Sequence, residues 1–255
     1  MLKISIIGYG KLAHHLVQRC KSYKEIRIHQ ILVRYKPATD DTSLEFIDDI
    51  TLLDDNTDLI ILTVQDKNIE DVSQNIPFVH VPIVHTSGVK SSLLLERFDH
   101  YGVWYPVQTF GVGTTVDWKK LPICILYSDE KIGNILKDLT ALLGSKAYAI
   151  NENQRQYLHL AAVFSNNFTN HLLTYVEKIL SSRSIDKALI TPLLRQTIDN
   201  FEVISPELAQ TGPAVRNDVS TMESHIELLY SLHLDDAISV YRTLSQSIAL
   251  SQSKT

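Results

Sequence analysis

Residues 2–13, LKISIIGYGKLA, decide the fold that this sequence predicts. The apolar run that ends at Ile7 predicts a buried strand, because a parallel strand is covered on both faces and reads as a continuous hydrophobic stretch. A segment with helical spacing follows, so a very short turn joins the strand to the helix. Gly8, Gly10 and Ala13 give this turn the spacing G-x-G-x-x-A.

Each small residue of this turn meets a physical requirement of dinucleotide binding. Gly8 permits the tight change of direction, Gly10 lets the backbone approach a pyrophosphate, and Ala13 lets the helix pack closely on the strand. The free N–H groups at the start of the helix would then face the anion. We expect the whole turn to contact the cofactor: Gly8, Tyr9, Gly10, Lys11, Leu12 and Ala13. The alternative is a tight α/β turn that binds nothing.

The end of the second predicted strand, residues 26–33, indicates which dinucleotide would bind. An NAD-binding chain places a carboxylate there, which hydrogen-bonds the ribose hydroxyls. Here the strand is followed by Arg34-Tyr35-Lys36, and no carboxylate stands at this point. Arg34 and Lys36 suit a 2′-phosphate, and the guanidinium can also stack on adenine. The pattern favours NADP(H) over NAD(H), and the alternative is a basic turn exposed to solvent.

The first part of the chain alternates strand-like and helix-like segments. Further strands are predicted at 59–64, 81–85, 123–127 and 146–150, and helices at 11–21, 91–98 and 130–143. This alternation predicts an α/β fold with a Rossmann-type, doubly wound, mostly parallel sheet. We expect residues 1–150 to form an NADP-binding domain.

The pattern changes after Asn151, and no convincing strand follows. Helices are predicted at 152–181, 184–204, 218–232 and 235–252, with Pro192 either kinking the second helix or moving its start. We therefore expect residues 151–255 to form an all-α C-terminal domain. This helical part is short and amphipathic, so it should pack against the first domain or against a second subunit.

Bulk composition excludes several classes of protein. The 255 residues are 44% hydrophobic and carry a formal net charge of −5, which argues against nucleic acid as the main partner. Cys20 and Cys124 fall in a predicted helix and a predicted strand, which indicates buried thiols rather than a disulfide or metal pair. No apolar run has the length of a membrane span, and no signal peptide or metal motif occurs. We expect a cytoplasmic protein without a metal or a membrane partner.

Two further strand ends should line the same cleft, because ligands bind beyond the carboxyl ends of parallel strands. One strand end would pass beside the ribose and nicotinamide, and the other would reach the reaction zone. The expected cofactor contacts at these ends are Thr63, Val64, Gln65 and Thr86. His85 and Ser87 bring an imidazole and a hydroxyl and are candidate catalytic residues. The alternative for His85 is a structural histidine at a strand end.

A polar stripe runs along the first predicted helix of the C-terminal half. His159, Val163, Asn166 and Asn170 fall near one face, at steps of three or four residues. The rest of this helix is largely apolar, so the stripe should face the cleft between the two domains. Imidazole suits proton transfer near neutrality, which makes His159 a candidate general acid with Asn166 beside it. The alternative is that His159 and Asn166 only hydrogen-bond across a helix interface.

The loop at 211–218 is a second candidate for contact with a substrate. If Asp218 caps the following helix, Arg216 is free to bind a substrate carboxylate bidentately. The alternative is a structural Arg216–Asp218 pair that stabilises the loop. His225, further along the same helix, is expected at an interface. The expected substrate-binding residues are Gln108, Asn167, Asn170 and Arg216.

Four groups of residues carry a resemblance to known proteins. They are IGYGKLA at 7–13, HTSG at 85–88, YPVQTF at 105–110, and AVFSNNF at 162–168 together with TGPAVRND at 211–218. The N-terminal half resembles the dinucleotide domain shared by pyrroline-5-carboxylate reductase, ketopantoate reductase, the β-hydroxyacid dehydrogenases and the deazaflavin-dependent NADP oxidoreductases. Nearly the whole chain resembles a family of Rossmann-like oxidoreductases with a helical C-terminal domain of unknown function.

The resemblance implies NADP binding, a homodimer built through the helical domain, and reductase chemistry. Two residues depart from the related patterns. Tyr105 stands where a histidine often opens the third segment, and Val163 stands about where the β-hydroxyacid dehydrogenases place a catalytic lysine. His159, one turn earlier, could take over the lysine's part in proton transfer.

These observations predict an NADP(H)-dependent oxidoreductase that transfers hydride to or from a small carbonyl, imine, or 2-oxo or hydroxy acid in the interdomain cleft. Its candidate catalytic residues are His159, Asn166, His85 and Ser87. The missing lysine leaves a second hypothesis open, an NADP(H)-binding sensor without turnover that signals through its helical dimer. A third hypothesis, an electron-carrier partner that uses a deazaflavin cosubstrate, rests on family analogy alone.

Overall fold

A single sheet organises the N-terminal two thirds of the chain, in a computed structural model that describes residues 1–37, 41–111 and 113–252. The strands are β1 (Leu2–Ile7), β2 (Ile26–Leu32), β3 (Phe46–Ile47), β4 (Leu59–Leu62), β5 (Ile83–His85), β6 (Tyr101–Pro106), β7 (Pro122–Tyr127) and β8 (Lys146–Ala149). In space they follow the order β3-β2-β1-β4-β5-β6-β7-β8.

The strand directions create one edge where ligands of such sheets bind. Strands β1 to β6 pair in parallel, β6 and β7 pair antiparallel, and β7 and β8 are again parallel. From β1 the chain proceeds to β2 and β3 on one side, then crosses to β4 on the other side. This reversal of strand order places a switch point beside Gly8 and Thr63. The predicted Rossmann-type, doubly wound, mostly parallel sheet followed by helices is confirmed.

The helices lie between the strands and after the last of them. The α-helices are α1 (Lys11–Cys20), α2 (Ile69–Gln74), α3 (Glu130–Leu142), α4 (Glu152–Ala162), α5 (Thr169–Ser181), α6 (Thr191–Val203), α7 (Pro206–Ala209), α8 (Val219–Ser231) and α9 (Asp235–Gln252). A π-helical segment, Val163–Phe168, joins α4 to α5. None of the helices in the described ranges is long and apolar enough to span a membrane.

The core lies on both faces of the sheet, as parallel strands between helices require. Along β1, Ile4 and Ile6 belong to one buried cluster, whereas Ile7 belongs to the other. Ala13 and Leu16 of α1 are fully buried in the first cluster. The absence of a large side chain at Ala13 therefore lets α1 pack directly on the sheet, as the sequence predicted.

Several predicted elements of the first half need correction. The helix expected at 91–98 is only a 3₁₀ turn, Ser92–Leu95, because Leu95 and Phe98 reach the core with the three-residue spacing that such a turn supplies. The sequence analysis missed β6, whose apolar residues are interrupted by Gly102. A Cβ at Gly102 would lie 2.2 Å from the Leu126 carbonyl oxygen, so close pairing with β7 requires this glycine.

The helices of the second half also differ from their predicted bounds. Pro192 lies in the first turn of α6, so this helix begins at Thr191 rather than at 184. Ser184 has a positive φ of 51°, which ends the preceding helical region. The helix predicted over 152–181 is present but changes to π-helical geometry at Val163–Phe168.

Two compact units divide the chain, and each is described by itself. Unit 1 comprises Met1–Asn166 and unit 2 comprises Asn167–Thr255. The division therefore falls after α4 rather than at the predicted residue 150. The reason is that α4 packs on the sheet of unit 1, where Leu158 contacts the buried cluster of Val103, Tyr105 and Cys124. In unit 2, α5, α8 and α9 meet around Tyr175, Leu229 and Ile238.

The two cysteines are buried and free, as the sequence predicted. Burial raises the pKa of Cys20 to about 12, so this thiol stays protonated near neutrality. Within the described residues, no group of three or more His, Cys, Asp or Glu side chains is arranged to hold a metal ion.

Candidate functional site

The glycine turn after β1 has two glycines that are required for different reasons. Gly8 has a φ of +98°, and a Cβ there would lie 3.1 Å from atoms of Thr63 and Val64. Conformation and packing therefore both require glycine at this position. Gly10 has a φ of −79°, and a Cβ there would meet nothing within 4 Å. Nothing within unit 1 requires glycine at position 10, so the open space fits an external group that approaches the backbone.

The start of α1 provides hydrogen-bond donors to this open space. Gly10 is the N-cap residue and makes no side-chain cap, and the first turn carries no acidic side chain. The first N–H groups of a helix have no acceptor within the helix. They combine with the positive end of the helix dipole to favour an anion.

A cavity of about 780 Å³ opens beside the glycine turn. It is lined by the predicted contacts Gly8, Tyr9, Gly10, Arg34, Thr63, Val64 and Gln65, and by Asp48, Asp49 and Lys67 among others. Arg34 is exposed and has no ion-pair partner in the described part of the chain. Lys36 does not line the cavity, and its ammonium nitrogen lies 3.8 Å from an Asp48 carboxylate oxygen. The Asp49 carboxylate accepts hydrogen bonds from Thr51 and forms no ion pair with Arg34 among the described residues. Of the two cations predicted to bind the 2′-phosphate, Arg34 is therefore the one that lines the cavity.

Two threonines predicted as cofactor contacts also hold the strand ends together. The Thr63 hydroxyl donates to the Gly8 carbonyl oxygen at 3.0 Å, which ties the end of β4 to the glycine turn. The Thr86 hydroxyl donates to the Leu62 carbonyl oxygen at 3.1 Å. These bonds fix the carboxyl edge of the sheet before any ligand binds.

His85, a predicted catalytic residue, is completely buried at the end of β5. The Ser87 N–H donates to its Nδ1 at 3.2 Å, so its hydrogen is on Nε2, which donates to the Ser91 carbonyl oxygen at 3.2 Å. Burial, together with the positive charge of Arg155, lowers the pKa of His85 from 6.5 to about 4. Both ring nitrogens are occupied within the loop, so the geometry matches the alternative of a structural strand-end histidine.

The loop after β5 is bound to α4 by an ion pair between a fully buried arginine and a partly exposed glutamate, which the sequence did not predict. Arg155 is fully buried and donates to the carbonyl oxygens of Ser87, at 2.5 Å, and Lys90. It also pairs with Glu152, whose other carboxylate oxygen accepts from the Ser92 N–H at 2.6 Å. Burial would raise the pKa of Glu152, but the hydrogen bonds from Ser92 and Arg155 outweigh it and the pKa is lowered.

Ser87, the second predicted catalytic residue of this loop, is nearly buried. Its hydroxyl oxygen accepts from the N–H groups of Val89 and Lys90, at 3.2 and 3.0 Å. The hydroxyl thus shapes the loop, and its carbonyl oxygen is held by Arg155. Ser87 therefore helps to fix the conformation of the loop that contains the next residue, Gly88.

His159 packs against Gly88 of this loop and contacts a tyrosine from β6. The Tyr105 hydroxyl is 3.1 Å from His159 Nδ1, and the two ring centroids are 6.0 Å apart. A Cβ at Gly88 would lie only 2.3 Å from the same Nδ1 atom. The absence of a side chain at Gly88 therefore leaves the space that the imidazole occupies. Within the described residues, His159 Nε2 makes no hydrogen bond.

Asn166 lies in the segment that follows α4, and its side chain is hydrogen-bonded. Its side-chain amide donates to the Thr109 hydroxyl at 2.5 Å. Tyr105 lies near the end of β6 and Thr109 follows this strand, so His159 and Asn166 of the predicted stripe both bind the segment 105–109. Asn166 lies in the π-helical segment, a geometry that occurs frequently at functional sites.

The remaining predicted residues lie elsewhere. Gln108 accepts from the neighbouring Thr109 N–H through its own side chain. Asn167, Asn170 and Arg216 belong to unit 2, where they are exposed. Asp218 caps α8 by accepting from the Thr221 N–H at 3.1 Å, as predicted, and makes no ion pair with Arg216 among the described residues.

His225 of α8 is exposed, and its Nδ1 lies 2.9 Å from the Tyr241 hydroxyl. Its predicted position at an interface stays a prediction.

Sequence reasoning missed three residues that build this site: Glu152, Arg155 and Tyr105. Glu152 and Arg155 precede the predicted His159 at steps of three and four, so helical spacing alone puts these three residues on one face of α4. That spacing was the signal available in the sequence. A cation and an anion about one helical turn apart can pair with each other and together hydrogen-bond a neighbouring loop. Tyr105 gave no such signal, since its partner is distant in sequence.

Residues 121–248 match the family described as Domain of unknown function (DUF2520), which covers half of the chain. None of the curated proteins matches this chain. Among solved structures, the protein named "putative NADP oxidoreductase" from Bacteroides fragilis is 29% identical, with a TM-score of 0.85 over 97% of this chain and 98% of that chain.

Two more distant structures share the fold. Pyrroline carboxylate reductase from Plasmodium falciparum, with NADP bound, is 13% identical with a TM-score of 0.57, over 97% of this chain and 98% of that chain. An imine reductase from Myxococcus stipitatus, in complex with NADP+, is 13% identical with a TM-score of 0.67, over 96% of this chain and 94% of that chain. These neighbours are oxidoreductases or reductases, and two of them hold NADP.

Proposed function

This chain belongs to the DUF2520 family, and we propose that it is an NADP(H)-dependent oxidoreductase acting on a small carbonyl, imine, or 2-oxo or hydroxy acid. The observation that carries the proposal is the open space at Gly10. Its backbone conformation is ordinary and a Cβ would meet nothing, yet it lies at the start of α1 beside a cavity of about 780 Å³. A pyrophosphate is the group whose approach this arrangement fits.

The residues around the cavity fit NADP(H) in particular. The backbone from Gly8 to Ala13 would hold the pyrophosphate, and Arg34 would hold the 2′-phosphate. Arg34 lines the cavity without an ion-pair partner among the described residues, so its guanidinium is available. Lys36 would add its charge only if it left Asp48. The cofactor named for two structural neighbours, NADP, agrees with this assignment.

The chemistry of the reaction divides between the cofactor and the chain. NADPH supplies a hydride when it is bound. The chain must then orient the substrate and provide a proton for the oxygen or nitrogen that becomes reduced. His159 is our candidate for the proton donor, because its Nε2 makes no hydrogen bond in the described residues. Asn166 and Thr109 would position the substrate by hydrogen bonds.

Other predicted roles remain part of the proposal. Asn167, Asn170, Arg216 and Gln108 are candidate substrate contacts, and Ser87 and His85 support the loop beside His159. A cytoplasmic location agrees with two free, buried thiols.

We propose a homodimer built through unit 2, because that unit leaves many large apolar side chains uncovered. Leu189, Phe201 and Leu208 are 77%, 72% and 82% exposed. A second copy of the chain would cover such surface.

The cofactor assignment is tested by calorimetric titration with NADPH and NADH. The parent protein should bind NADPH more tightly, and Arg34→Ala should lose at least about tenfold in NADPH affinity while NADH affinity changes little. Lys36→Ala serves as the matched control and should lose less, since Lys36 lies outside the cavity lining. Equal loss for both cofactors in Arg34→Ala would contradict the assignment.

Turnover is tested with a panel of small carbonyls, imines and 2-oxo acids, followed by the consumption of NADPH. His159→Gln should lower kcat by about 100-fold, the usual contribution of a general acid, with NADPH affinity unchanged. Tight NADPH binding without turnover on any member of the panel would instead favour a sensor.

A further inference from the structure

We propose that Tyr105 is a positioning residue for His159, which it holds in the orientation and tautomer that keep a hydrogen on Nε2. The inference rests on the proposed function for its catalytic consequence, but its structural content can be tested without turnover. The contact between the Tyr105 hydroxyl and His159 Nδ1 is 3.1 Å, a hydrogen-bond distance.

Tyr105 is itself held rigidly. It is 9% exposed, it pairs with Cys124 across β6 and β7, and its ring belongs to the cluster that includes Val103 and Leu158. Leu158 precedes His159 on α4, so the same packing fixes the tyrosine ring and the helix that carries the imidazole. The hydroxyl therefore has a defined position relative to His159.

A second neighbour of the imidazole, Gly88, also limits where the ring can lie. Gly88 leaves room for the ring, since a Cβ there would lie 2.3 Å from Nδ1. Arg155, one helical turn before His159, fixes the loop that carries Gly88 through its bonds to Ser87 and Lys90. Tyr105 and Gly88 thus both confine the ring near Nδ1. Nε2 is the ring nitrogen that remains available to another partner.

The direction of the hydrogen bond depends on which ring nitrogen carries the hydrogen. Burial raises the pKa of Tyr105, so its hydroxyl keeps its hydrogen near neutrality and is able to donate. In the resting, neutral imidazole of this proposal the hydroxyl donates to Nδ1, so that the ring hydrogen is on Nε2. When the imidazole is charged, Nδ1–H donates to the hydroxyl oxygen, because a hydroxyl can both donate and accept. Before the proton transfer, Nε2 therefore carries a hydrogen whether the ring is neutral or charged.

The proton balance of the reduction is then complete. The charged imidazole would give its Nε2 proton to the substrate oxygen or nitrogen, and NADPH, when bound, would supply the hydride that the adjacent carbon takes up. The N–H bond breaks, an O–H or N–H bond forms, and the electron pair stays on Nε2. The ring is left neutral with its hydrogen on Nδ1, bound to Tyr105, and it regains a proton from water. A side chain without a hydroxyl at position 105 would leave the ring free to turn.

The test is long-range proton–nitrogen NMR on isotope-labelled histidine in the full chain, without cofactor. The neutral His159 ring should carry its hydrogen on Nε2 in the parent protein, and Tyr105→Phe should change the signals toward a mixture of both tautomers. The matched control is Tyr101→Phe, an equal change four residues earlier in β6, and it should leave His159 unchanged. An unchanged tautomer in Tyr105→Phe would overturn the inference.

A second variant keeps the tyrosine and displaces the ring. Gly88→Ala places a Cβ only 2.3 Å from the present position of Nδ1, so the ring must move, the hydrogen bond should be lost and the His159 signals should change at least as much. Thermal melting of both variants checks that the fold is retained. Unchanged His159 signals in Gly88→Ala would also contradict the inference.

Kinetics connect this inference to the proposed function. Tyr105→Phe should lower kcat by about tenfold, the rate equivalent of one hydrogen bond, with little change in KM or NADPH affinity. A parent protein that shows the expected tautomer but binds no NADPH would refute the proposed function alone. A normal kcat in Tyr105→Phe, with its tautomer changed, would refute the catalytic part of the inference.

Discussion

The two compact units differ in how far they bury their apolar side chains. Unit 1 buries the central strands of its sheet, where Ile4, Ile60 and Ile83 are all 0% exposed. Unit 2 has a small buried cluster around Tyr175, Leu229 and Ile238, while Phe201 is 72% exposed. Unit 1 therefore contains the core that it needs, whereas unit 2 contains helices whose apolar faces need a surface outside the unit.

Buried polar groups show the same difference. In unit 1, His85 and Arg155 are completely buried and form hydrogen bonds that connect β5, its loop and α4. In unit 2, the pair of His225 with Tyr241 lies at the surface, and the buried Tyr175 hydrogen-bonds His171 and Asp236 in partly buried contacts. The contrast indicates that unit 1 is a rigid scaffold for a site, and it yields predictions that either break or sharpen the comparison.

The largest effect is expected from breaking the internal bonds of unit 1 at Arg155. Arg155→Met removes the donor from two carbonyl oxygens and leaves the Glu152 carboxylate without its cation. The free energy of unfolding should fall by about 3 kcal/mol, measured by urea denaturation. The exposed Arg27→Met is the matched control and should change it little. A loss below that of the control would show that this ion pair does not stabilise unit 1.

The second prediction concerns acid stability and His85. Its folded-state pKa of about 4 is below the ordinary 6.5, so the unfolded chain binds the proton more readily between these values. The free energy of unfolding should therefore fall as the pH falls from 6.5 to 4, by up to about 3 kcal/mol from this residue. His85→Gln should reduce that pH dependence, measured by urea denaturation across the same window.

The control for this prediction is His80→Gln, which removes an exposed histidine from the same unit. It should retain the pH dependence of the parent protein. If His85→Gln also retained it, burial of His85 would not be the cause of acid sensitivity.

The third prediction sharpens the account of unit 2. Phe201→Gln removes an apolar side chain from the exposed face of α6, so the proposed dimer should weaken by at least about tenfold. Sedimentation velocity over a range of concentrations measures the change. Leu52→Gln, at a 59% exposed apolar position in unit 1, should leave the dimer unchanged. Equal dissociation in both variants would contradict a dimer through unit 2.

The smallest effect is expected at the start of α4. Asn151 caps this helix, accepting from the Gln154 N–H at 2.8 Å while the Gln154 side chain accepts from the Asn151 N–H. Asn151→Ala should lower the free energy of unfolding by about 1 kcal/mol, by urea denaturation. Asn153→Ala, two residues later and exposed, should cost less. The reverse order would show that the cap does not stabilise α4.

The fold was predictable because its signals are local. The apolar run before Gly8 and the run LIIL at Leu59–Leu62 mark buried strands without any knowledge of their partners. The strand β6 was missed because its Gly102 is needed only for close contact with β7, which no local pattern reveals.

The candidate site was predictable in part. The spacing of Gly8 and Gly10 predicted a turn whose geometry the structure contains, and His159 and Asn166 were singled out from a polar stripe. Tyr105 was not recognised as a partner because 54 residues separate it from His159. The π-helical segment also escaped prediction, since counting by 3.6 residues fails where the helix widens.

The most direct test of the dinucleotide site is NADPH binding to Gly10→Asp. Aspartate is a favourable N-cap residue, so this variant should melt at or above the temperature of the parent protein. Its carboxylate would occupy the open space and the N–H groups of α1, so NADPH affinity should fall by at least about 100-fold in calorimetry. Ser205→Asp adds the same charge at the N-cap of α7 and should bind NADPH normally. Parent-like NADPH binding by Gly10→Asp would contradict the account.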